Sequence, residues 1–444
     1  MAQVPSEQTS PQDTIEDPLP TGLRGALVPF QIPNFRLLWA GRVTSNMARQ
    51  MRVFLRAWIV WDTSGSPLLM GIVVSSLSWP MLIMPFVGGW LADKVDRRRL
   101  LKITESLLVV LWAVVAAMVY FQYIVWWHFV ISSVLSGIIQ SIGRPTHQAI
   151  IGSIVDKQRL PNAVALDNIA DSWPRVGGPL IGALLISVIG TGWLFWMTSL
   201  GQLFTAITIF MLDWDPVEER EKQRRGGHSG SFLEGFKYIW HEKVLLGLVG
   251  MGVVFAMIGG AAGFLMPIFA DAILGVGASG LGLLMTAQTI GASIGAFLVL
   301  MLARFGRRGY LLMVVALLNS MVVVAFSRSE VLLISMVFVV GMGMGQVMFR
   351  TMRLVMLQIL TPDDLRGRVT SFQTVIQGMM WMGVLIMGSI AELLGRSGGV
   401  DLGFIRLGGD IASGAADTVL IGGILYGIAS LIFFILFPAL RRFK

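Results

Sequence analysis

The sequence predicts an all-α integral membrane protein of about twelve transmembrane helices, built as two six-helix repeats with both termini in the cytoplasm. Composition is the first reason. Of 444 residues, 55% are apolar and only 14% charged, and the apolar residues fall in repeated runs close to the ~20 that cross a bilayer. Charge placement is the second. One set of loops carries Lys94, Arg97, Arg98 and Arg99, then Lys157 and Arg159, then Arg304, Arg307 and Arg308, then Arg366 and Arg368, whereas 122–125, 190–192 and 272–278 are short and nearly uncharged. Basic loops stay in the cytoplasm, so an even number of spans is required. Internal repetition is the third. Asp96-Arg97-Arg98 after the second span corresponds to Gly306-Arg307-Arg308 after the eighth, and Arg144 and His147 in the fourth correspond to Arg350 and Arg353 in the tenth.

The chain divides accordingly. Residues 1–30 are polar and acidic, with Glu7, Asp13, Glu16 and Asp17, and read as a disordered cytoplasmic tail. A first six-helix bundle covers 31–212, with spans near 37–61, 68–91, 100–121, 126–150, 163–189 and 192–212. The long polar segment 213–243 reads as a cytoplasmic loop joining the halves. Ser231 and Glu234 have capping-box spacing and open an amphipathic stretch with Phe232, Phe236 and Trp240. The second bundle, 244–444, has spans near 244–270, 279–303, 309–327, 331–358, 369–394 and 415–438. The formal net charge of +8 is spent on topology rather than nucleic acid, and the chain has no cysteine for disulfides or thiolate metal sites.

The first span carries the least expected residues. Arg42, Arg49, Arg52 and Arg56 fall within an arc of about 80° on a helix, with Ser45 among them. Each arginine at mid-membrane costs roughly 2.5–3.5 kcal/mol, so four facing lipid would cost on the order of 10 kcal/mol. The stripe should therefore face a polar cavity that attracts anions. An interfacial amphipathic helix is the rival reading, and it would break the loop alternation. At the matching places in the seventh span stand Met251, Ile258, Ala261 and Leu265, so the fold does not require charge there. Further cations are Arg144 and His147 of span four, Arg175 of span five, and Arg350 and Arg353 of span ten, where Arg353 is close enough to the cytoplasmic end to snorkel. Asp167 and Asp171 are read as the deep acids that oppose them. Asp167, Asp171 and Arg175 share one helix face, acid before base in the favoured order.

The substrate-binding candidates are thus Arg42, Arg49, Arg52, Arg56, Arg144 and Arg350. The proton-coupling candidates are Asp171 first, then Asp167 and His147, with Arg175 as neighbour. Met342, Met344, Met348, Met352 and Met356 in span ten, and Met379, Met380, Met382 and Met387 in span eleven, supply a soft apolar side to such a cavity. No phosphate-binding Gly-x-x-x-x-Gly-Lys-Ser/Thr loop is present, the four histidines are scattered, and no nucleophile stands beside a base, so neither nucleotide, metal nor cofactor is expected, and no enzyme.

Gly89-Trp-Leu-Ala-Asp93-Lys94-Val-Asp96-Arg97-Arg98 resembles the signature loop between spans two and three of the major facilitator superfamily, with Asp96 where the superfamily pattern has a second glycine. Asn34-Phe35-Arg36-Leu37-Leu38-Trp39-Ala40-Gly41, Gly65-Ser66-Pro67, Leu160-Pro161-Asn162-Ala163, Arg175 and Gly178-Pro179 further resemble the branch of the enterobactin exporter and related secretion-type efflux proteins. The resemblance implies the major facilitator fold and a cytoplasmic gate in which Asp93 meets the N-terminus of span eleven, near Val369, while Arg97 and Arg98 latch to acids such as Asp156. Gly178-Pro179-Leu-Ile-Gly182 resembles a motif of proton-antiport exporters, and its residue types suit a kink and close helix packing. It also implies a monomeric secondary transporter in a bacterial inner membrane, exporting an amphipathic, anionic small molecule against a proton gradient, with the lipid bilayer as its other partner. Proton-coupled uptake of an organic acid, or lipid and lysophospholipid translocation, are the alternatives.

Overall fold

The computed structural model describes residues 27–77, 80, 97–156, 158–212, 232–302, 307–401 and 406–438. A short 3-10 turn, Val28–Gln31, precedes the first helix and buries Val28 and Pro29, with Phe30 edge-on to Phe35 and Trp39. The tail expected over 1–30 is therefore too long at its end: apolar residues from 28 onward have a core to join. Helix α1 spans Pro33–Ser64, opening on a proline whose missing N–H costs nothing at the first turn. It stops at Gly65, which takes the left-handed φ of 58°. Ser66 then caps α2 (Pro67–Ser75), its hydroxyl accepting from the Leu69 amide at 3.2 Å.

Helices α3 (Arg97–Tyr120) and α4 (Trp126–Ile154) follow. Helix α5, Leu160–Met211, runs helically through Pro174 and Pro179 and breaks at Gly190, where φ 75° and ψ 169° fold it into two arms, 160–189 and 191–211. The amphipathic stretch is α6 (Phe232–His241); Ser231, half of its expected capping box, lies outside the described residues. Helix α7 covers Lys243–Ile273 but is irregular, with π turns at Phe255–Gly259 and Phe269–Ile273 and a 3-10 turn at Ala262–Leu265. Helices α8 (Gly277–Leu302), α9 (Arg308–Ser327), α10 (Leu332–Leu360), α11 (Asp363–Arg396) and α12 (Ile411–Leu436) complete the chain. Between the last two lies a hairpin of two-residue strands, β1 (Val400–Asp401) and β2 (Arg406–Leu407), which hydrophobic periodicity could not indicate.

Among the described residues, eight helices are long and apolar enough to cross a membrane, and α5 is long enough to do so twice around Gly190. Helix α1 is not one of the eight, since its arginines dilute its hydropathy. It is nonetheless central: Phe54 and Leu55 are fully buried, and the Trp39 indole and Asn46 amide donate to the Leu166 and Ala170 carbonyls of α5. That burial excludes the interfacial reading of the arginine segment.

The apolar cores show how the halves meet. One cluster joins Met51 to Trp61 of α1 with Ala262 to Ala270 of α7, Leu281 and Leu284 of α8 and Phe326 of α9. At the opposite end, two clusters stay apart. One contains Phe35, Leu38, Leu101, Ile150 and Leu166, all of the first half; the other contains Leu245, Leu312, Met348, Met356 and Phe372, all of the second. The halves are thus joined at the end bearing the α1–α2 turn. Polar contacts close that end: the Trp61 indole donates to Asp271 at 2.9 Å, and Glu392 of α11 accepts from the Ser66 hydroxyl at 2.7 Å and the Leu68 amide at 3.4 Å. The carboxylate thereby caps the positive N-terminus of α2.

Candidate functional site

The four arginines of α1 do not share one destination. Arg42 makes a two-point contact with Asp167 of α5, Nε to Oδ1 at 3.0 Å and Nη2 to Oδ2 at 3.5 Å. Arg49, one turn beyond Asn46, donates to its side chain at 2.8 Å and to Asp171 at 3.2 Å. Asp171 is completed by Arg175 at 2.5 Å, the i, i+4 pair read from the sequence. Arg52 turns the other way. It is 3% exposed, donates to the Thr198 carbonyl and the Gln202 side-chain oxygen at 3.1 Å each, and lies 4.4 Å over the Trp112 ring. Arg56 donates to Ser133 of α4 at 2.7 Å and also lies over the Trp112 ring, 5.8 Å from its centroid.

Of the four, Arg56 departs from the expectation of one shared cavity: Arg42, Arg49 and Arg52 line the same small cavity, whereas Arg56 is held inside the first half by the Ser133 hydroxyl and the Trp112 ring. A second correction concerns the acids. The sequence reading took Asp167 and Asp171 as the deep carboxylates, but Glu105 of α3 is also buried and accepts from the Gln202 amide at 2.7 Å. Its signal was available: Glu105 is the lone acid of the apolar run 97–120, two turns beyond the basic cluster. Gln202 had no such signal, because an amide in a helix announces nothing until its neighbours are known. Arg42, Ser45, Asn46, Arg49, Arg52, Glu105 and Gln202 line part of a cavity of about 60 Å³. At 10–15 Å³ per water that is room for roughly four waters and too little for an organic molecule.

The face between the halves is different. Arg175 lies where α5 meets α8, its carbonyl accepting from Thr289 at 3.3 Å. Arg350 of α10 is exposed and within electrostatic reach of both Arg175 and Asp171. No ion pair to Arg350 forms among the described residues. Arg49 and Arg175 thus contact Asp171 while Arg350 stays within its electrostatic reach, which relates residues of three helices that the sequence proposed separately. Arg353 does not snorkel: it is buried, donates to Gln373 of α11, and packs against Gly252 of α7, where no Cβ would fit.

Gly178 and Gly182 sit where α5 crosses α1. A Cβ on Gly178 would meet Gln50 at 2.6 Å, and one on Gly182 would meet Phe54 at 2.9 Å. The Pro179 carbonyl and Ala183 in turn fill the space beside Gly282 of α8. The chain stays helical through this motif, and its non-helical break lies further on, at Gly190. Gly89, Asp93 and Lys94 lie outside the described residues. Arg97, Arg98, Arg144 and His147 lie on helices whose backbone is described, but their side chains are outside what is described.

Residues 24–407 match the transmembrane secretion effector family. Among curated proteins, the chain is 23% identical over 304 residues to the enterobactin exporter EntS of Shigella dysenteriae serotype 1, covering 68% of this chain and 72% of that one. With EntS of Shigella boydii serotype 4 it is 23% identical over 342 residues, 77% and 81% of the two chains. Among solved structures, the nucleoside transporter NupG superposes with TM-score 0.71 at 13% identity, covering 93% of this chain and all of that one. A bacterial homologue of the lysosomal transporter Spinster, in an inward-facing unoccupied conformation, gives 0.68 at 14% identity, with 94% and 98% coverage. The helix order, the stripe on α1 and these matches agree: the chain belongs to the transmembrane secretion effector family of the major facilitator superfamily, and is a multi-pass membrane transporter rather than an enzyme.

Proposed function

We propose that this transporter is a monomeric secondary active exporter, moving an amphipathic organic anion out of a bacterial cell through its inner membrane by alternating access and in exchange for protons. The observation that carries the anion reading is the pairing of Arg49 and Arg175 with one carboxylate, Asp171, on the face between the halves, with the exposed Arg350 within electrostatic reach. At about 5 Å and an effective dielectric of about 20, each cation is worth roughly 3 kcal/mol of attraction to an incoming anion. Three cations against one acid leave an excess that a substrate anion can fill, taking Arg49 and Arg350 while Arg175 stays with Asp171. The half-buried Met344 of α10 and Met379 and Met380 of α11 offer the apolar side, whereas Met342, Met348, Met352, Met356 and Met387 are buried in the helix cores. Similarity to relatives named as enterobactin exporters is a reason to try siderophores and comparable metabolites first.

In this reading the chain has twelve spans in two six-helix bundles, 31–212 and 244–444, linked by the cytoplasmic loop 213–243, with α5 contributing two spans. The basic loops put both termini in the cytoplasm and the joined end, at the α1–α2 turn, on the outside. The described state is then closed outward, and opening it requires breaking Trp61–Asp271 and Ser66–Glu392. Asp93, Arg97 and Arg98 would form the opposite gate. Asp171, Asp167 and His147 are the coupling candidates from sequence, and both aspartates are engaged by arginines.

Counterflow in proteoliposomes tests the proposal, with purified wild type beside Arg49→Gln and Arg350→Gln. Loss of anion exchange by tenfold or more in either variant is expected, that being about 1.4 kcal/mol. Undiminished exchange of anions in both would refute it. Headgroup-labelled lipid flipping in the same vesicles separates export of a soluble anion from the lipid-translocase alternative.

A further inference from the structure

We infer that Glu105, rather than an aspartate of α5, is the proton-binding carboxylate of this transporter, and that Gln202 relays its state to Arg52 on α1. The inference rests on the proton-exchange reading above.

Two of the three acids near the stripe already have cationic partners. Asp167 is gripped by Arg42, and Asp171 by Arg49 and Arg175. A proton arriving at either must displace a guanidinium. Glu105 differs in three respects. It is 8% exposed, its hydrogen bond comes from a neutral amide at 2.7 Å, and it lines the water-sized cavity that also borders Arg42 and Arg49. Waters in that cavity can bring a proton: the carboxylate takes it from a hydronium ion, leaving a neutral carboxyl and a water, and reverses the step on release.

The relay follows from donor and acceptor chemistry. Arginine only donates and an ionised carboxylate only accepts, so Gln202 is fixed with its oxygen toward Arg52 and its amide nitrogen toward Glu105. Once Glu105 is protonated the Gln202 amide donates to a neutral carboxyl instead of a carboxylate, so that end of the bridge weakens while Arg52 still holds the amide oxygen. Gln202 is then anchored at one end, and the acceptor that keeps Arg52 beside the Thr198 carbonyl and the Trp112 ring is free to move with it. Arg52 sits one turn from Arg49, so a change there reaches the cleft along α1 itself. Among the described residues, the charged groups facing Glu105 are Arg42, Arg49 and Arg52 of α1; α4 presents Gln140, and the second arm of α5 presents Gln202. On α3 itself, Lys102 points instead at the Phe210 ring, 5.0 Å away.

Infrared difference spectroscopy on the purified full chain tests this without a substrate. The carboxyl stretch of protein labelled with isotopic glutamate is followed across roughly pH 5 to 9. A glutamate carboxyl that titrates in wild type, vanishes in Glu105→Gln and persists in Asp171→Asn is the expected result. Glu105→Asp and Gln202→Met guard against a misfolded Glu105→Gln. The aspartate variant should move the titrating signal to the aspartate frequency, and the methionine variant should displace its midpoint by on the order of one pH unit. A signal that survives in Glu105→Gln overturns the inference. If that surviving signal is lost in Asp171→Asn, the proton-exchange reading stands with Asp171 as carrier; if no carboxyl titrates in wild type, both fall.

Discussion

Helices α1 and α7 occupy corresponding places in the two repeats and solve the same problem in opposite ways. Helix α1 is one regular rod of 32 residues with five arginines, four of them, Arg42, Arg49, Arg52 and Arg56, forming the stripe. Helix α7 has Met251, Ile258, Ala261 and Leu265 at the matching positions, and its backbone is broken by two π turns and a 3-10 turn. Charge needs a rigid, fully partnered setting, because every displaced guanidinium leaves donors unpaired at low dielectric. An apolar helix has no such obligation and can carry irregular turns, which in α7 coincide with a close backbone approach: a Cβ on Gly383 of α11 would lie 2.1 Å from the Met257 carbonyl. The lesson is a division of labour, with chemistry on one helix and backbone irregularity on its counterpart.

The harshest way to break the comparison is to write the charge of α1 into α7. Ala261 matches Arg52, is fully buried, and packs with Val384 and Met387. Ala261→Arg has neither room nor acceptors there and should lose more than ~3 kcal/mol, seen as a collapse in monodisperse yield and thermal stability. Next is the reverse change. Arg52→Met strands Gln202 and the Thr198 carbonyl and should cost about 3 kcal/mol in thermal unfolding. Adding Glu105→Gln to it should recover part of the loss, since the carboxylate is then no longer buried beside an orphaned amide.

A smaller change probes the point where the two helices touch. Trp61→Phe removes the indole bond to Asp271 while keeping the ring, a loss of about 1 kcal/mol. The chain contains no cysteine, so spin labels on introduced pairs at the α1 and α7 ends will report it directly, as a larger fraction of long distances. The least effect is expected at a control outside both helices. Asp410 caps α12, and hydrogen bonds from the Ser413 hydroxyl and amide hold its carboxyl below the ordinary value of 3.8. A lowered carboxyl stabilises the fold above its unfolded value, and that contribution disappears as pH falls through the folded one. Asp410→Asn should therefore differ from wild type by only a few tenths of a kcal/mol above about pH 4, because the group is exposed, and converge with it as pH falls below the depressed folded value.

Much of this was legible in the sequence because membrane helices advertise themselves by length, and arginines in them by cost. The all-helical membrane fold, the stripe on α1, the Asp171–Arg175 pair and the helical stretch α6 follow from period and charge alone. What was not legible depends on rotation and neighbours. The 80° arc of the stripe is wide enough for Arg42 and Arg49 to reach α5 while Arg52 and Arg56 turn toward α3 and α4. Arg353 looked free to reach the helix end, yet Gly252 leaves a slot that holds it. Glu105 was passed over because one acid near a basic cluster reads as interfacial until α1 and the second arm of α5 enclose it. The docking of Glu392 on α2 joins residues 326 positions apart, and no local pattern encodes it.

The central claim, that the face between the halves selects anions through Arg49, Arg175 and Arg350, is tested most directly by one comparison in proteoliposomes: accelerated exchange of naphthoate against its uncharged methyl ester, in wild type and Arg350→Gln. Wild type should prefer the carboxylate by tenfold or more, and the variant should lose that preference while still handling the ester. Equal preference in the two proteins, or selection of the ester by wild type, would contradict the account.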